Sequence, residues 1–312
     1  MPLDPHFHAM LEAQAAAAPA DVPPMEKLPP AFLRQMYREQ RTAQNQATSP
    51  SDVETRDLKA TGPAGEIATR LYTPADAATP GALLVYFHGG GWVIGDLETH
   101  DAHCRRLAAY SGARVLAVDY RLAPENPFPA SHDDALAATC WAFDHAGEIG
   151  VDPARIGVGG DSAGGNLAAA VAHDLKTDPQ RRLKFQLLIY PATGPAERTA
   201  SRRERDGPVL SSAAMDFFEA ALAAHAHPHG RRATPAQAED LSGLPPALVI
   251  TAGFDPLEDE GRDYAAALAA AGVPARHVSY PSMVHDFFIM GDVSPAVVEA
   301  ARETAQALRE AL

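Results

Sequence analysis

The 312-residue sequence predicts an α/β fold with a mostly parallel, doubly wound sheet flanked by helices. The first observation behind this prediction is a set of short, continuous apolar runs at residues 82–87, 115–118, 185–189 and 247–251. Such runs are typical of strands buried on both faces of a parallel sheet. The second observation is that helix-forming segments separate these runs, and strands that alternate with helices predict a doubly wound sheet.

The segment before the sheet, residues 1–47, predicts two helices, at 10–18 and 31–46. The second helix is amphipathic. Its apolar face is predicted to carry Phe32, Leu33, Met36 and Tyr37. That face has to cover another part of the protein, because an apolar helix face is not stable in water.

The elements of the sheet follow in order along the chain. Alternating segments at 53–59 and 66–72 surround a glycine-rich turn and predict an antiparallel pair at the sheet edge. Helices are predicted at 101–110 and 131–146, and a half-apolar last strand at 276–280. In sheets of this kind, functional groups gather where the parallel strands end.

The alternation of strands and helices is interrupted at residues 193–241, which include a predicted helix at 212–224. We expect this insertion to join residues 1–47 in a helical cap over the body of the protein, which comprises residues 48–192 and 242–312. The alternative is that both segments pack on the body without covering a pocket, and the sequence does not separate the two.

A glycine-rich turn, Gly160-Asp161-Ser162-Ala163-Gly164, lies between an apolar segment and an alanine-rich helix former. Its Gly-x-Ser-x-Gly spacing is that of a nucleophile elbow. A serine on such a tight turn has strained backbone angles and close neighbours, so the flanking positions need to lack bulk. An ordinary glycine-rich turn is the alternative. A nucleotide-binding loop is excluded because Gly-Lys-Ser/Thr is absent.

A serine hydroxyl needs a base to act as a nucleophile, and the base is most often histidine. His285 follows the predicted last strand by a short loop, and Asp255 follows the run at 247–251 in the same way. Ser162, Asp255 and His285 therefore have the chain order expected of a catalytic triad on this type of fold.

Three further acidic residues, Glu258, Asp259 and Glu260, compete with Asp255 as the partner of the histidine. They follow Pro256 and are expected to begin the next helix, where acidic side chains interact favourably with the helix dipole. Asp255 is therefore the preferred candidate.

The run His88-Gly89-Gly90-Gly91 directly follows a predicted buried strand. Consecutive glycines allow the backbone to approach a substrate and to direct N–H groups towards a developing oxyanion. Ala163, next to the candidate nucleophile, would supply another N–H donor. A merely flexible loop is the alternative.

Taken together, these motifs resemble the hormone-sensitive-lipase-like family of bacterial carboxylesterases, in the branch with Gly-Asp-Ser-Ala-Gly. The matching segments lie at 88–92, 119–125, 160–166 and 255–257 and at His285. The resemblance implies an α/β-hydrolase fold with a helical cap, hydrolysis of short- to medium-chain acyl esters, and no metal or cofactor. It also implies a small-molecule ester as partner and allows a homodimer joined at the last strand.

The resemblance assigns roles to individual residues. Ser162 is the nucleophile, His285 the base and then the acid, and Asp255 the orienting carboxylate. The oxyanion hole is assigned to Gly89, Gly90, Gly91 and Ala163, with Gly89 shaping the loop. The candidate substrate-binding residues are Trp92, Met215 and Phe218, for which core packing is the alternative.

The chain departs from the family at three positions. Asp286 stands where glycine usually follows the catalytic histidine, Glu258 stands where a basic residue is common, and Asn126 stands where histidine is common. A carboxylate at position 286 could shift the pKa of His285 or lie in solvent. Asp161 is expected to have a structural role in the elbow.

The formal net charge of −14 argues against binding to nucleic acid or to an anionic membrane surface. No apolar stretch has membrane-spanning length, and no signal peptide is recognisable, so a cytoplasmic protein is expected. Cys104 and Cys140 are far apart and are predicted to be free thiols. A metal site at His225-x-His227-x-His229 is not favoured, because no carboxylate or cysteine accompanies these histidines.

The sequence therefore predicts a serine carboxylesterase that works through an acyl-enzyme. Three alternatives stay open. The same residues could act on an amide or a lactone, the protein could be a ligand-binding receptor on a hydrolase scaffold, or it could be a lipase acting on oil droplets. The charged insertion argues against the last of these, because a lipase needs a large apolar surface.

Overall fold

An eight-stranded sheet forms the centre of the protein in the computed structural model, which describes residues 1–17, 23, 25–45, 50, 52–194, 199–223, 230–291 and 293–312. Its strands are β1 (Val53–Gly62), β2 (Gly65–Pro74), β3 (Gly81–Phe87), β4 (Arg114–Val118), β5 (Val151–Asp161), β6 (Gln186–Ile189), β7 (Ala247–Phe254) and β8 (Ala275–Val284). Their order is β1-β2-β4-β3-β5-β6-β7-β8. β1 is antiparallel to β2 and β2 to β4, whereas the other pairs are parallel. The predicted mostly parallel sheet with an antiparallel edge pair is therefore confirmed.

Helices cover both faces of this sheet. They are α1 (Pro5–Ala17), α2 (Pro30–Asn45), α3 (Asp101–Ser111), α4 (Ala130–Asp144), α5 (Ala163–Leu175), α6 (Ala200–Glu204), α7 (Ser212–Ala223), α8 (Glu258–Ala270) and α9 (Pro295–Ala311). Among the helices so described, none combines the length and the apolar character needed to cross a membrane.

The side chains of β3 show why the sheet is covered on both faces. Leu83 and Val85 join an apolar cluster with side chains of α4, α5 and α8. Leu84 and Tyr86, which point to the other face because side chains alternate along a strand, join a second cluster with α3 and α9. All four are fully buried, so the continuous apolar run in the sequence corresponds to a central strand.

A third apolar cluster joins α2, α7 and the loop after β3 at the carboxyl edge of the sheet. It contains Leu33, Val93, Ile94, Ala123, Leu210, Ala214, Met215, Phe218 and Leu257. Leu33 and Tyr37 of α2 pack on this side, but Phe32 and Met36 are 48% and 42% exposed. The predicted apolar face of α2 was therefore wrong for two of its four members, because each residue advances a helix by about 100°.

Three of the parallel strands extend several residues further than the sequence indicates. β7 continues to Phe254 and β8 to Val284, because these two residues pair with each other beyond a register shift. Asp255 and His285 therefore follow paired strand ends directly and not through the predicted loops. β5 begins at Val151, which pairs with Gly81, and a register shift separates this pair from the pair of Leu83 with Ile156.

Candidate active site

The elbow places Ser162 between the end of β5 and the start of α5. Its backbone angles are φ 54° and ψ −117°, which few residues other than glycine adopt. The N–H of Ser162 donates a hydrogen bond of 2.8 Å to the carbonyl oxygen of Ile189, on the neighbouring strand β6. The strained turn is thus held by the sheet, and the serine side chain lies where parallel strands end.

The glycines of the elbow allow the turn to lie against β3. A Cβ atom at Gly164 would lie 1.9 Å from the carbonyl oxygen of Phe87, and one at Gly160 would lie 2.4 Å from the backbone of Gly164. Both positions therefore require glycine for steric reasons.

We expect Gly164→Ala to lower the free energy of unfolding by about 3 kcal/mol, because the methyl group would push α5 away from the backbone of β3. Urea unfolding followed by circular dichroism measures the change. Gly147→Ala is the matched control, because a Cβ atom there meets nothing within 4 Å. Equal stability of the two variants would contradict the close approach of the elbow to β3.

The three predicted triad residues lie together at this edge of the sheet. The Ser162 hydroxyl lies 3.0 Å from Nε2 of His285, and Nδ1 of His285 lies 2.6 Å from Oδ2 of Asp255. The other carboxylate oxygen of Asp255 accepts the N–H of Leu257 at 2.8 Å, which fixes the carboxylate. With the Nδ1 proton donated to Asp255, Nε2 is free to accept the serine proton.

The competing acids of the sequence have other partners. Glu258 forms an ion pair with an arginine that follows α6. Asp259 accepts the N–H of Ser201 at 2.8 Å, and Glu260 accepts the N–H of Gly194 at 2.9 Å. These carboxylates thus hold the insertion against α8.

Several charges act on the imidazole of His285. Its burial lowers the pKa, but the charge and hydrogen bond of Asp255, followed by the charges of Asp286 and Asp161, outweigh burial and raise the pKa to about 9. The site therefore stabilises the protonated imidazole, which is the form that a base takes after it has accepted a proton.

Asp161 connects the elbow to the glycine-rich loop after β3. Its fully buried carboxylate accepts hydrogen bonds from the Tyr86 hydroxyl at 2.7 Å and the Gly89 N–H at 3.1 Å, and lies 3.3 Å from Nε2 of His100. Burial opposes its ionisation, but His100 and the hydrogen bonds hold its pKa below the ordinary value. The N–H of Gly89 is thus used to fix the loop.

Other N–H groups at the site stay available, those of Gly90, Gly91 and Ala163. No hydrogen bond found among the described residues uses them. Gly90 and Gly91 have φ of 111° and 57°, a region that favours glycine, and Ala163 begins α5, whose N-terminus favours negative charge. This is the arrangement that an oxyanion requires.

These groups line one cavity of about 590 Å³ together with Ser162 and His285. Trp92, Met215 and Phe218, the candidate substrate-binding residues, line it as well. Met215 and Phe218 also belong to the third apolar cluster. These two side chains therefore both pack in the core and line the cavity.

The sequence did not indicate one further feature of the cavity, an ion pair beside the base. Asp286 has φ 65°, a left-handed backbone conformation that favours glycine. Its Oδ2 atom lies 2.7 Å from Nη2 of Arg41, a buried residue of α2, and its Oδ1 atom lies 3.5 Å from Nε2 of His285. Two features of the sequence are compatible with this ion pair. One is the acidic residue at position 286, and the other is the spacing of Leu33, Tyr37 and Arg41, which places them along one face of α2.

We expect Asp286→Asn to lower the midpoint of the acidic limb of the kcat/KM profile by about one pH unit. The base has to be neutral, so the rate rises with pH through the pKa of His285, and removal of a nearby negative charge lowers that pKa. Glu125→Gln is the matched control, because Glu125 likewise pairs with an arginine of α2, Arg34. An unchanged midpoint in Asp286→Asn would contradict this role for the charge.

The remaining motifs of the sequence do not join the site. Cys104 and Cys140 are free thiols, as predicted, and the first is buried. Residues 225–229, with the three histidines, lie outside the described residues. In the described ranges, no group of three histidine, cysteine, aspartate or glutamate side chains could hold a metal ion.

Comparison with known proteins identifies the family of the chain. Residues 84–289 match the α/β hydrolase fold family. The chain is 43% identical over 263 residues to Esterase LipI of Mycobacterium tuberculosis, which covers 82% of each protein. It is 35% identical to an ethyl acetate hydrolase of Pseudomonas putida over the full length of both.

A solved structure has the same fold. It is an ester-hydrolase from the metagenome of Lake Arreo in complex with a derivative of bipyridine phosphonate, and it is 40% identical with a TM-score of 0.90 over 99% of this chain and 98% of that one. The chain belongs to the α/β hydrolases, in the hormone-sensitive-lipase-like family.

Proposed function

We propose that this protein is a serine carboxylesterase that hydrolyses short- to medium-chain acyl esters of small molecules through an acyl-enzyme. The observation that carries the proposal is that His285 lies between Ser162 and Asp255, with its Nε2 atom 3.0 Å from the Ser162 hydroxyl and its Nδ1 atom 2.6 Å from Oδ2 of Asp255. The names of relatives, an esterase and an ethyl acetate hydrolase, support the same chemistry.

In the first half of the proposed reaction, Nε2 of His285 takes the proton of Ser162 while its oxygen attacks the ester carbonyl. The N–H groups of Gly90, Gly91 and Ala163 stabilise the oxyanion, and each such donor typically contributes about 10²–10³ in rate. The imidazolium, held by Asp255, then gives its proton to the leaving alcohol.

In the second half, His285 takes a proton from water, which attacks the acyl-enzyme at the same carbonyl carbon. The oxyanion forms again in the same place, and collapse of the intermediate returns the proton to Ser162 and releases the acid. Each proton transfer uses Nε2, which lies 3.0 Å from the serine oxygen.

We also propose a cap, a cellular location and a dimer for this protein. Residues 1–47 and 193–241 act as a cap, which is supported by the position of α2 and α7 side chains in the cavity wall. The protein works in the cytoplasm, and two copies associate through β8, which is an edge strand of the sheet. Sedimentation velocity measures the last of these.

We expect the initial rates on p-nitrophenyl esters from acetate to decanoate to peak at short or medium chains, because a cavity of about 590 Å³ has to hold both parts of the ester. Matched p-nitroanilides and lactones, assayed at the same enzyme concentration, test the alternative substrates. Hydrolysis of the amides without hydrolysis of the esters would contradict the proposal.

A further inference from the structure

The Arg41–Asp286 ion pair lies in the cavity wall, and Arg41 has several further contacts there. Arg41 is 3% exposed, and its guanidinium lies 5.0 Å from the ring centroid of Tyr37, which is also part of the wall. A second nitrogen, Nη1, donates to Oε1 of Gln44 at 3.3 Å. The pair therefore presents a fixed carboxylate and a fixed set of N–H groups at one side of the cavity.

Geometry identifies the part of a substrate that meets this pair. The leaving oxygen has to come within hydrogen-bond reach of Nε2 of His285, because that atom delivers its proton. Oδ1 of Asp286 lies 3.5 Å from the same Nε2 atom. The carbon atoms attached to the leaving oxygen consequently lie beside Asp286, so the ion pair faces the alcohol portion of the ester.

The composition of the wall differs between its elements. The wall that α1 and α2 supply contains the amide side chains of Gln14, Gln40 and Gln44 besides Arg41. The wall that α7 supplies is mostly apolar and contains Ala214, Met215, Phe218 and Leu222, besides Glu219, which pairs with Arg202. One part of the substrate thus meets mainly hydrogen-bonding groups, and another part meets mainly apolar side chains.

We infer that Asp286 and Arg41 select esters whose alcohol portion carries hydroxyl groups, such as esters of a polyol, while the acyl chain is apolar. This inference rests on the esterase activity proposed above. A hydroxyl group beside the pair donates to the carboxylate and accepts from an N–H group. An alkyl group there displaces water from the carboxylate and returns no hydrogen bond, which is unfavourable for a charged group.

The test uses two esters with the same acyl group and the same number of carbon atoms, propyl butyrate and 2,3-dihydroxypropyl butyrate. Competition between them gives the ratio of their kcat/KM values. We expect the wild type to favour the hydroxylated ester by about tenfold, the value of one hydrogen bond to a charged group. The double variant Arg41→Met/Asp286→Gly leaves no unpaired charge, and glycine suits the φ of 65° at position 286. In this variant the ratio is expected to fall to about one.

Arg34→Met/Glu125→Gln is the control, because it removes another ion pair between α2 and the body and leaves the Arg41–Asp286 pair in place. It is expected to keep the wild-type ratio. A wild-type ratio near one, or equal ratios in the wild type and in Arg41→Met/Asp286→Gly, would overturn the inference but leave the esterase activity intact. If the wild type hydrolysed neither of these two esters and none of the p-nitrophenyl esters, the proposed function would be overturned as well.

Discussion

Replacement of Ser162 by alanine is expected to lower kcat on p-nitrophenyl butyrate by about 10⁶-fold, because no oxygen is left to form the acyl-enzyme. The loss of one oxygen atom leaves the backbone of the elbow and its hydrogen bond to Ile189 in place. We therefore expect the variant to fold, which urea unfolding checks. The rate is measured as the release of p-nitrophenolate after fixed times, at a high concentration of the variant.

Ser279→Ala is the control for this substitution, since Ser279 is exposed on the edge strand β8. It should keep the wild-type rate. Ordinary esterase activity in Ser162→Ala would show that another group is the nucleophile, and the mechanism proposed here would then be wrong.

The second large effect is expected for Asp255→Asn, which should lower kcat by about 10⁴-fold. The amide can still accept the N–H of Leu257 through its oxygen. Its NH₂ group cannot accept the Nδ1 proton of His285, so the imidazole takes the other tautomer and Nε2 carries a proton. A protonated Nε2 cannot take the proton of Ser162.

Asp259→Asn separates this effect from a general loss of acidic residues near the site. Asp259 was a competing candidate, but it accepts the N–H of Ser201 and pairs with Arg262. We expect Asp259→Asn to reduce stability and to change kcat far less than Asp255→Asn. A larger loss of kcat in Asp259→Asn than in Asp255→Asn would indicate that Asp259 is the carboxylate that orients His285.

The parts of the structure that the sequence could predict are those that local chemistry requires. The elbow needs glycine at positions 160 and 164 because a Cβ atom at either would meet backbone, and this leaves a readable spacing around Ser162. The buried strands are readable because both of their faces are apolar. The order of Ser162, Asp255 and His285 follows from the order of the strands that carry them.

The parts that escaped prediction depend on contacts between distant residues. β7 and β8 extend to their catalytic ends because Phe254 pairs with Val284. Arg41 and Asp286 are separated by 245 positions in the chain, so no local pattern could show that they pair. The apolar pattern of α2 likewise did not show which side faces the body, since Phe32 and Leu33 are equally apolar but only Leu33 is buried.

The most direct test of the account is whether Ser162 is an activated nucleophile. The measurement is the intact mass of the protein, followed by peptide mapping, after incubation with a p-nitrophenyl alkylphosphonate. We expect one phosphonyl adduct per chain, on the peptide that contains Ser162, together with loss of esterase activity and no adduct in Ser162→Ala. An unmodified wild-type protein, or an adduct on a different residue, would contradict it.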